Sequence, residues 1–291
     1  MQNASMSHEV RSSYGQDTLR YVRLMLLVVP LLMIVAIIVY AVVNHRVEDS
    51  ISSYYLGPAR DLFVAMMVTT GVLLVVYSGP PLEDFALNLA GFYAMFIALV
   101  PTQLGNSLKL LDPDAQQKQI LSVRVGIAAI IIVSAVFVFL GMRTNRWPKG
   151  EFLFSSWTKY LSIGCAVLLA AFLILVLWRA IEGTEFAWVH TSAAALLITS
   201  MGVAIASHLG HRSLCADDTS GGKRIHYAVL LYLMGAGLIA WPILKLSGIA
   251  QTVFIIEWYQ ISLFAYFWYL ESRRLWDFDF RSGWPSAYTG S

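Results

Sequence analysis

Residues 24–43 read LMLLVVPLLMIVAIIVYAVV, twenty positions without a charged side chain. At about 1.5 Å per helical residue, such a block covers about 30 Å, the thickness of a bilayer's hydrocarbon core. The pattern then repeats along the chain. Apolar blocks fall at 61–78, 85–103, 120–142, 159–179, 189–208, 225–245 and 252–271. These eight blocks predict an all-α, polytopic transmembrane helical bundle, with residues 1–291 forming a single integral membrane domain. The joins are short. Ser78–Gly79–Pro80–Pro81 stops one helix by removing backbone donors and fixing φ, and Ser247–Gly248 does so more weakly before the last block.

Composition agrees with that reading. Of 291 residues, 58% are hydrophobic and 13% charged, against about 45–50% and about 25% in an average soluble domain. Mean hydropathy is +0.65. These values exclude a soluble enzyme and a disordered chain, and a net charge of +2 argues against a nucleic-acid partner. Cys165 lies in an apolar block and Cys215 in a polar loop, so both read as free thiols. Residues 1–20 are polar and the first apolar block exceeds a signal-peptide core, so no cleaved leader is expected.

Lys and Arg set the expected orientation. With the N-terminus in the cytoplasm, 13 of the 20 fall on the cytoplasmic side and 7 on the outer side. Eight spans then leave both termini cytoplasmic, in a multi-pass cell-membrane protein. The Arg143–Trp157 loop, with Trp147, Phe152 and Phe154, suits a segment lying at headgroup depth.

Small residues mark the packing. Ala86, Ala90, Ala94 and Ala98 recur every four positions on the third span, the spacing that lets two helix backbones approach closely. That helix is expected to be central, with Asn88 as an interhelical hydrogen-bond donor. Pro242 predicts a kink in the seventh span.

Ionisable groups in a bilayer are costly and usually face an interior or a cavity. Ser53, Tyr54, Tyr55, Arg60, Asp61, Arg124, His190 and Glu257 all fall towards the outer rim and form the candidate ligand-binding set. His190 and Glu257 lie at similar depth, where a His–Glu pair would serve proton coupling, ligand binding or acid–base work. His208 sits five turns from His190 on the same helix face, at the other membrane surface. Tyr77, Glu83 and Asp84 surround the turn before the third span on that surface. The face of Glu257 continues through Gln260, Phe264, Trp268 and Glu271. His208, His211, Cys215, Asp217, Asp218 and His226 form a loop-borne set that reads as ordinary loop, so neither a metal nor a cofactor is expected.

The stretch from Ser50 to Thr102 resembles the DUF998-like and Frag1/DRAM-like group of bacterial multi-spanning membrane proteins. The resemblance rests on Ser50–Ile51–Ser52 with Tyr54–Tyr55, Arg60–Asp61, Gly71, Tyr77, Glu83–Asp84, Asn88, Ala90–Gly91 and Pro101–Thr102. Glu257 and Phe267–Trp268 extend it to the last span. It implies the multi-spanning architecture and assigns no activity. A three-histidine zinc set of the ceramidase type finds no match, because His190, His208 and His226 differ in depth. No phosphate loop, selectivity-filter repeat or mid-span retinal lysine is present.

Three functional classes follow. The outer rim set suggests binding or transport of a small molecule or lipid through an outer-facing polar cavity. The alternatives are a structural or accessory subunit with a membrane-protein partner, or an intramembrane lipid hydrolase. The hydrolase would use His190 and Glu257 with Ser53 or Asp61, and needs two or more of these to converge within about 3–4 Å.

Overall fold

A computed structural model describes residues 2–45, 47–56, 59–102, 104–109, 111–144, 156–182, 186–210, 221–248 and 251–282. Helices dominate: α1 (Gln2–Asn44), α2 (Arg60–Val76), α3 (Pro81–Leu99), α4 (Leu104–Leu108), α5 (Pro113–Arg143), α6 (Ser156–Glu182), α7 (Val189–Gly210), α8 (Gly221–Leu246) and α9 (Thr252–Ser282). A 3₁₀ helix at Ile51–Leu56 joins α1 to α2. The architecture is all-α. All eight apolar blocks are helical, but among the described residues seven of these helices are long and apolar enough to cross a membrane, not eight. The exception is α2, at 17 residues. Its end is set locally: Tyr77 turns extended at ψ 137°, and Pro80 stays extended at ψ 152°, as the clash with a following proline demands.

Helix α3 is the hub, packing most extensively against α7 and α2. Its apolar stretch is 67% buried, against 11% for α5 and 17% for α6. All four ladder alanines, Ala86, Ala90, Ala94 and Ala98, are fully buried. The α2–α3 crossing is closer still. A Cβ on Gly91 would stand 2.6 Å from the Gly71 carbonyl oxygen, and one on Gly71 would stand 2.9 Å from that of Gly91. Only glycine at both positions lets the two backbones meet there.

Helix α9 closes the other side against α1 and α8. Tyr259 and Gln260 donate to the Leu233 and Met234 carbonyls of α8 at 2.9 and 3.0 Å. Gly237 makes room for both side chains, since a Cβ there would collide with Gln260 Nε2 and Tyr259. Helix α8 continues through Pro242 to Leu246. Asn88 departs from expectation: its Nδ2 donates to Asp84 Oδ2 one turn back, at 3.2 Å, and not across to a neighbour. The acid four residues away is the nearer acceptor on a helix.

Candidate functional site

Two polar clusters form at opposite ends of the bundle, both built on α3, α7 and α9. On α7, the 18 residues between His190 and His208 are five turns, about 27 Å.

The first cluster gathers Ser52, His190 and Glu257. Ser52 Oγ lies 2.7 Å from Glu257 Oε1 and 2.9 Å from His190 Nε2. His190 Nδ1 faces the Val100 carbonyl at 2.7 Å, and the Ile51 amide donates to Glu257 Oε2 at 2.5 Å. The 3₁₀ turn thus inserts Ser52 between α7 and α9. His190 and Glu257 meet through that hydroxyl, not by direct contact.

The other rim residues stand apart from this trio. Ser53 bonds back to Ser50, with the two hydroxyl oxygens 2.7 Å apart. Tyr54 is buried edge-on against Tyr40; burial raises its phenol pKa above the ordinary value, with the charge of Glu48 adding to the rise. The side chain of Tyr55 lies outside the described residues. Arg60 and Asp61 are exposed at the start of α2, and Arg124 is exposed on α5. A crevice of 20 Å³ near this end is lined by Met33, Ala36, Ile37, Ala59, Leu62, Phe63 and Tyr54. It is apolar apart from the phenol, and none of Arg60, Asp61, Arg124, His190 or Glu257 lines it.

The second cluster was spelled out in the sequence only as separate residues. Glu83, His208 and Glu271 each offer one ligand atom, all within 4.8 Å of one another. Pro81 opens α3 and sets Glu83 in its first turn. His208 closes α7. Glu271 lies at the end of the buried α9 face that carries Gln260, Phe264 and Trp268. Both carboxylates are fully buried. His208 Nε2 lies within ion-pair distance of both carboxylates, 3.3 Å from Glu83 Oε1 and 3.8 Å from Glu271 Oε1. The ring is held in place by stacking on Tyr227, with centroids 4.8 Å apart and planes 9° from parallel.

Two phenols aim the carboxylates. Tyr77 donates to Glu83 Oε1 at 3.0 Å, and Tyr227 to Glu271 Oε1 at 2.7 Å. Two cations meet the far oxygen of Glu271: Arg274 Nη2 at 3.0 Å and Arg23 Nη1 at 3.5 Å. Arg23 also donates to the Tyr77 hydroxyl at 2.8 Å. Residues from α1, α3, α7, α8 and α9, with Tyr77 from the α2–α3 turn, therefore converge on one point. Chemically this is a nitrogen and two carboxylates around a common centre, each carboxylate oriented by a hydrogen bond. The loop-borne set of His211, Cys215, Asp217 and Asp218 lies outside the described residues.

Sequence reasoning named Glu83, His208 and Glu271 but did not join them. One signal was available: Glu271 follows Glu257 by fourteen residues on a single α9 face, so each end of that face carried an acid.

No protein-family model matches the chain, and neither a curated protein nor a solved structure matches it.

Proposed function

We propose that the chain is an intramembrane hydrolase of a lipid ester, with a divalent cation held by Glu83, His208 and Glu271. In this reading eight helices traverse the bilayer, α2 being the shortest, and both termini are cytoplasmic. The metal cluster then lies at cytoplasmic headgroup depth. Residues 50–102 are read as a DUF998-like segment.

One observation carries the metal: Glu83, His208 and Glu271 each bring one ligand atom within 4.8 Å of the other two, and both carboxylates are fully buried. The His208 Nε2 separations of 3.3 and 3.8 Å lie at and above the tetrahedral edge, about 3.3 Å for metal–ligand bonds of about 2.0–2.1 Å, so the ligands close in slightly around an ion. Three protein ligands leave a fourth position for water, the arrangement of hydrolytic zinc sites. The hydrogen bonds from Tyr77 and Tyr227 supply the orientation that such ligands need. Glu83 Oε2 has no hydrogen-bond partner among the described residues, which leaves an acceptor for a water proton. Arg274 pairs with Glu271 through Nη2 while 44% of its side chain is exposed, which suits an anionic headgroup at the edge of the cluster.

An accessory, structural role is the second reading. Arg23 and Arg274 offset the charges of Glu83 and Glu271 without a metal, so the network also suffices to pin helix ends together. Transport through the opposite end has less support, since the crevice there is small and mostly apolar.

Metal analysis of the purified full chain separates the two main readings. The hydrolase reading expects about one divalent ion per chain, lost in Glu83→Gln and His208→Ala, with metal-dependent cleavage of anionic phospholipid in mixed vesicles. A folded chain that holds no metal when offered zinc or manganese would refute it and leave the accessory role.

A further inference from the structure

The Ser52–His190–Glu257 cluster has a hydrogen count that the hydrolase reading does not use. The Val100 carbonyl can only accept, so His190 Nδ1 carries a hydrogen whenever the 2.7 Å bond is made. Nε2 is then a bare acceptor in the neutral ring and a donor in the cation. Ser52 Oγ stands between Nε2 and Glu257 Oε1 with a single hydrogen to give.

Two arrangements satisfy every bond. In one, a protonated Glu257 donates to Ser52, and Ser52 donates to neutral His190. In the other, cationic His190 donates to Ser52, and Ser52 donates to the Glu257 carboxylate. Both contain the same number of protons. They interconvert when the Glu257 Oε1–H bond breaks as a bond to Ser52 Oγ forms, while the old Ser52 O–H bond breaks as one to His190 Nε2 forms. Without that shared proton, Ser52 can serve only one neighbour, and two lone pairs face each other across the other gap.

We propose that Ser52, His190 and Glu257 form a binding site for a single exchangeable proton, and that its occupancy latches the 3₁₀ turn onto α7 and α9. Glu257, half-buried, is the point of exchange with the medium; Ser52 and His190 are buried behind it. The site ends there. Between it and His208 the buried face of α7 is Ala193, Ser200, Met201, Ala204 and Ile205, which offers no chain of hydroxyls.

Beyond its own members, the trio bonds to the Val100 carbonyl and the Ile51 amide. In the 3₁₀ turn, Tyr54 is turned to Tyr40 and Ser53 to Ser50. The neighbouring Asp49 offers a backbone carbonyl to Phe254. Glu48 lies towards Tyr54. From α3 comes the Val100 carbonyl alone. On α8, Lys245 lies over Trp241.

The test uses the full chain in lipid nanodiscs with ¹⁵N-labelled histidine. His190 is followed by NMR and the Glu257 carboxyl by infrared spectroscopy, each assigned by its variant, Glu257→Gln or His190→Gln. We expect Nδ1 to stay protonated throughout. Loss of the shared proton should appear at both residues at one pH between about 4 and 9. Above that pH the protection factor of the Ile51 amide, which donates to Glu257, should fall about tenfold once intrinsic base catalysis is divided out. Ser52→Ala should split the joint transition by about one pH unit or more, and Ser52→Thr should restore it. Separate transitions in the native chain, no transition in that range, or a joint transition unaffected by Ser52→Ala would each overturn the proposal. Ser52→Thr retains the hydroxyl, so failure of the alanine variant to fold leaves the test intact.

Discussion

Replacing Gly91 with alanine tests the α2–α3 crossing most directly. The added Cβ would lie 2.6 Å from the Gly71 carbonyl oxygen and 2.7 Å from Val75 Cγ2. Ordinary carbon contacts begin near about 3.5 Å, so α2 must withdraw by roughly 0.8 Å. Both obstructing atoms are on α2, and one is backbone, so no rotamer change relieves the clash. Overpacking of this kind costs about 1–3 kcal/mol. Alanine recovers about 1 kcal/mol of helix propensity over glycine, leaving a net loss of about 0–2 kcal/mol, and a deficit of about 1–3 kcal/mol against an alanine placed where there is room. Gly235→Ala provides the control. Nothing lies within 4 Å of its Cβ position, so only the propensity gain applies and the chain should be as stable or slightly more so. Gly71→Ala combined with Gly91→Ala should cost less than the two alone add up to, because the first Cβ already separates the helices. Reversible denaturation in mixed detergent micelles, followed by helical circular dichroism, measures all four chains. If Gly91→Ala proved as stable as Gly235→Ala, the close crossing would be refuted.

Three other outcomes follow from the same physical arguments. Glu271→Gln should destabilise the chain by about 3–5 kcal/mol in that assay, because it leaves the buried guanidinium of Arg23 without its counter-charge; an unchanged midpoint would contradict the network. Ala94→Leu places three carbons against the Gly71 crossing and should cost about 1–3 kcal/mol, so an unchanged melting temperature would speak against α3 as the hub. Burial raises the pKa of Tyr54, so the folded chain holds that phenol proton more tightly than the unfolded chain. Its stabilising contribution is complete below the unfolded value of about 10 and is lost as pH rises through the folded value. Tyr54→Phe should therefore reduce the alkaline loss of stability above about pH 10, and an identical alkaline profile would show that Tyr54 does not carry it.

The membrane class and the helices were legible in the sequence because each depends on local composition. The block at 24–43 announces its environment without reference to any neighbour. The Pro80–Pro81 pair marks the start of α3, and the alanine ladder marks a face that only a central helix would bury. Even the buried side of α9 can be read from Gln260, Phe264, Trp268 and Glu271. What local composition could not fix was the status of α2, whose 17 residues depend on where Tyr77 leaves the helix.

The clusters were less legible, because each joins residues far apart in the chain. Sequence depth placed His190 near Glu257, but Ser52, not Ser53, supplies the hydroxyl between them. A 3₁₀ turn directs successive side chains about a third of a turn apart, so its docking decides which serine points inward. Arg60, Asp61 and Arg124 shared that depth with His190 and ended exposed, since depth along the membrane normal says nothing about direction around a helix axis.

The sequence alone determined the solvent, the number of apolar helices and the two levels at which polar groups occur. Those properties follow from residue type and the 1.5 Å rise. Tertiary structure decided which polar groups meet. Glu83, His208 and Glu271 lie on three helices whose rotations are set by contacts elsewhere, among them the Gly71–Gly91 crossing and the stacking of His208 on Tyr227. The two polar clusters form only when those rotations are fixed together.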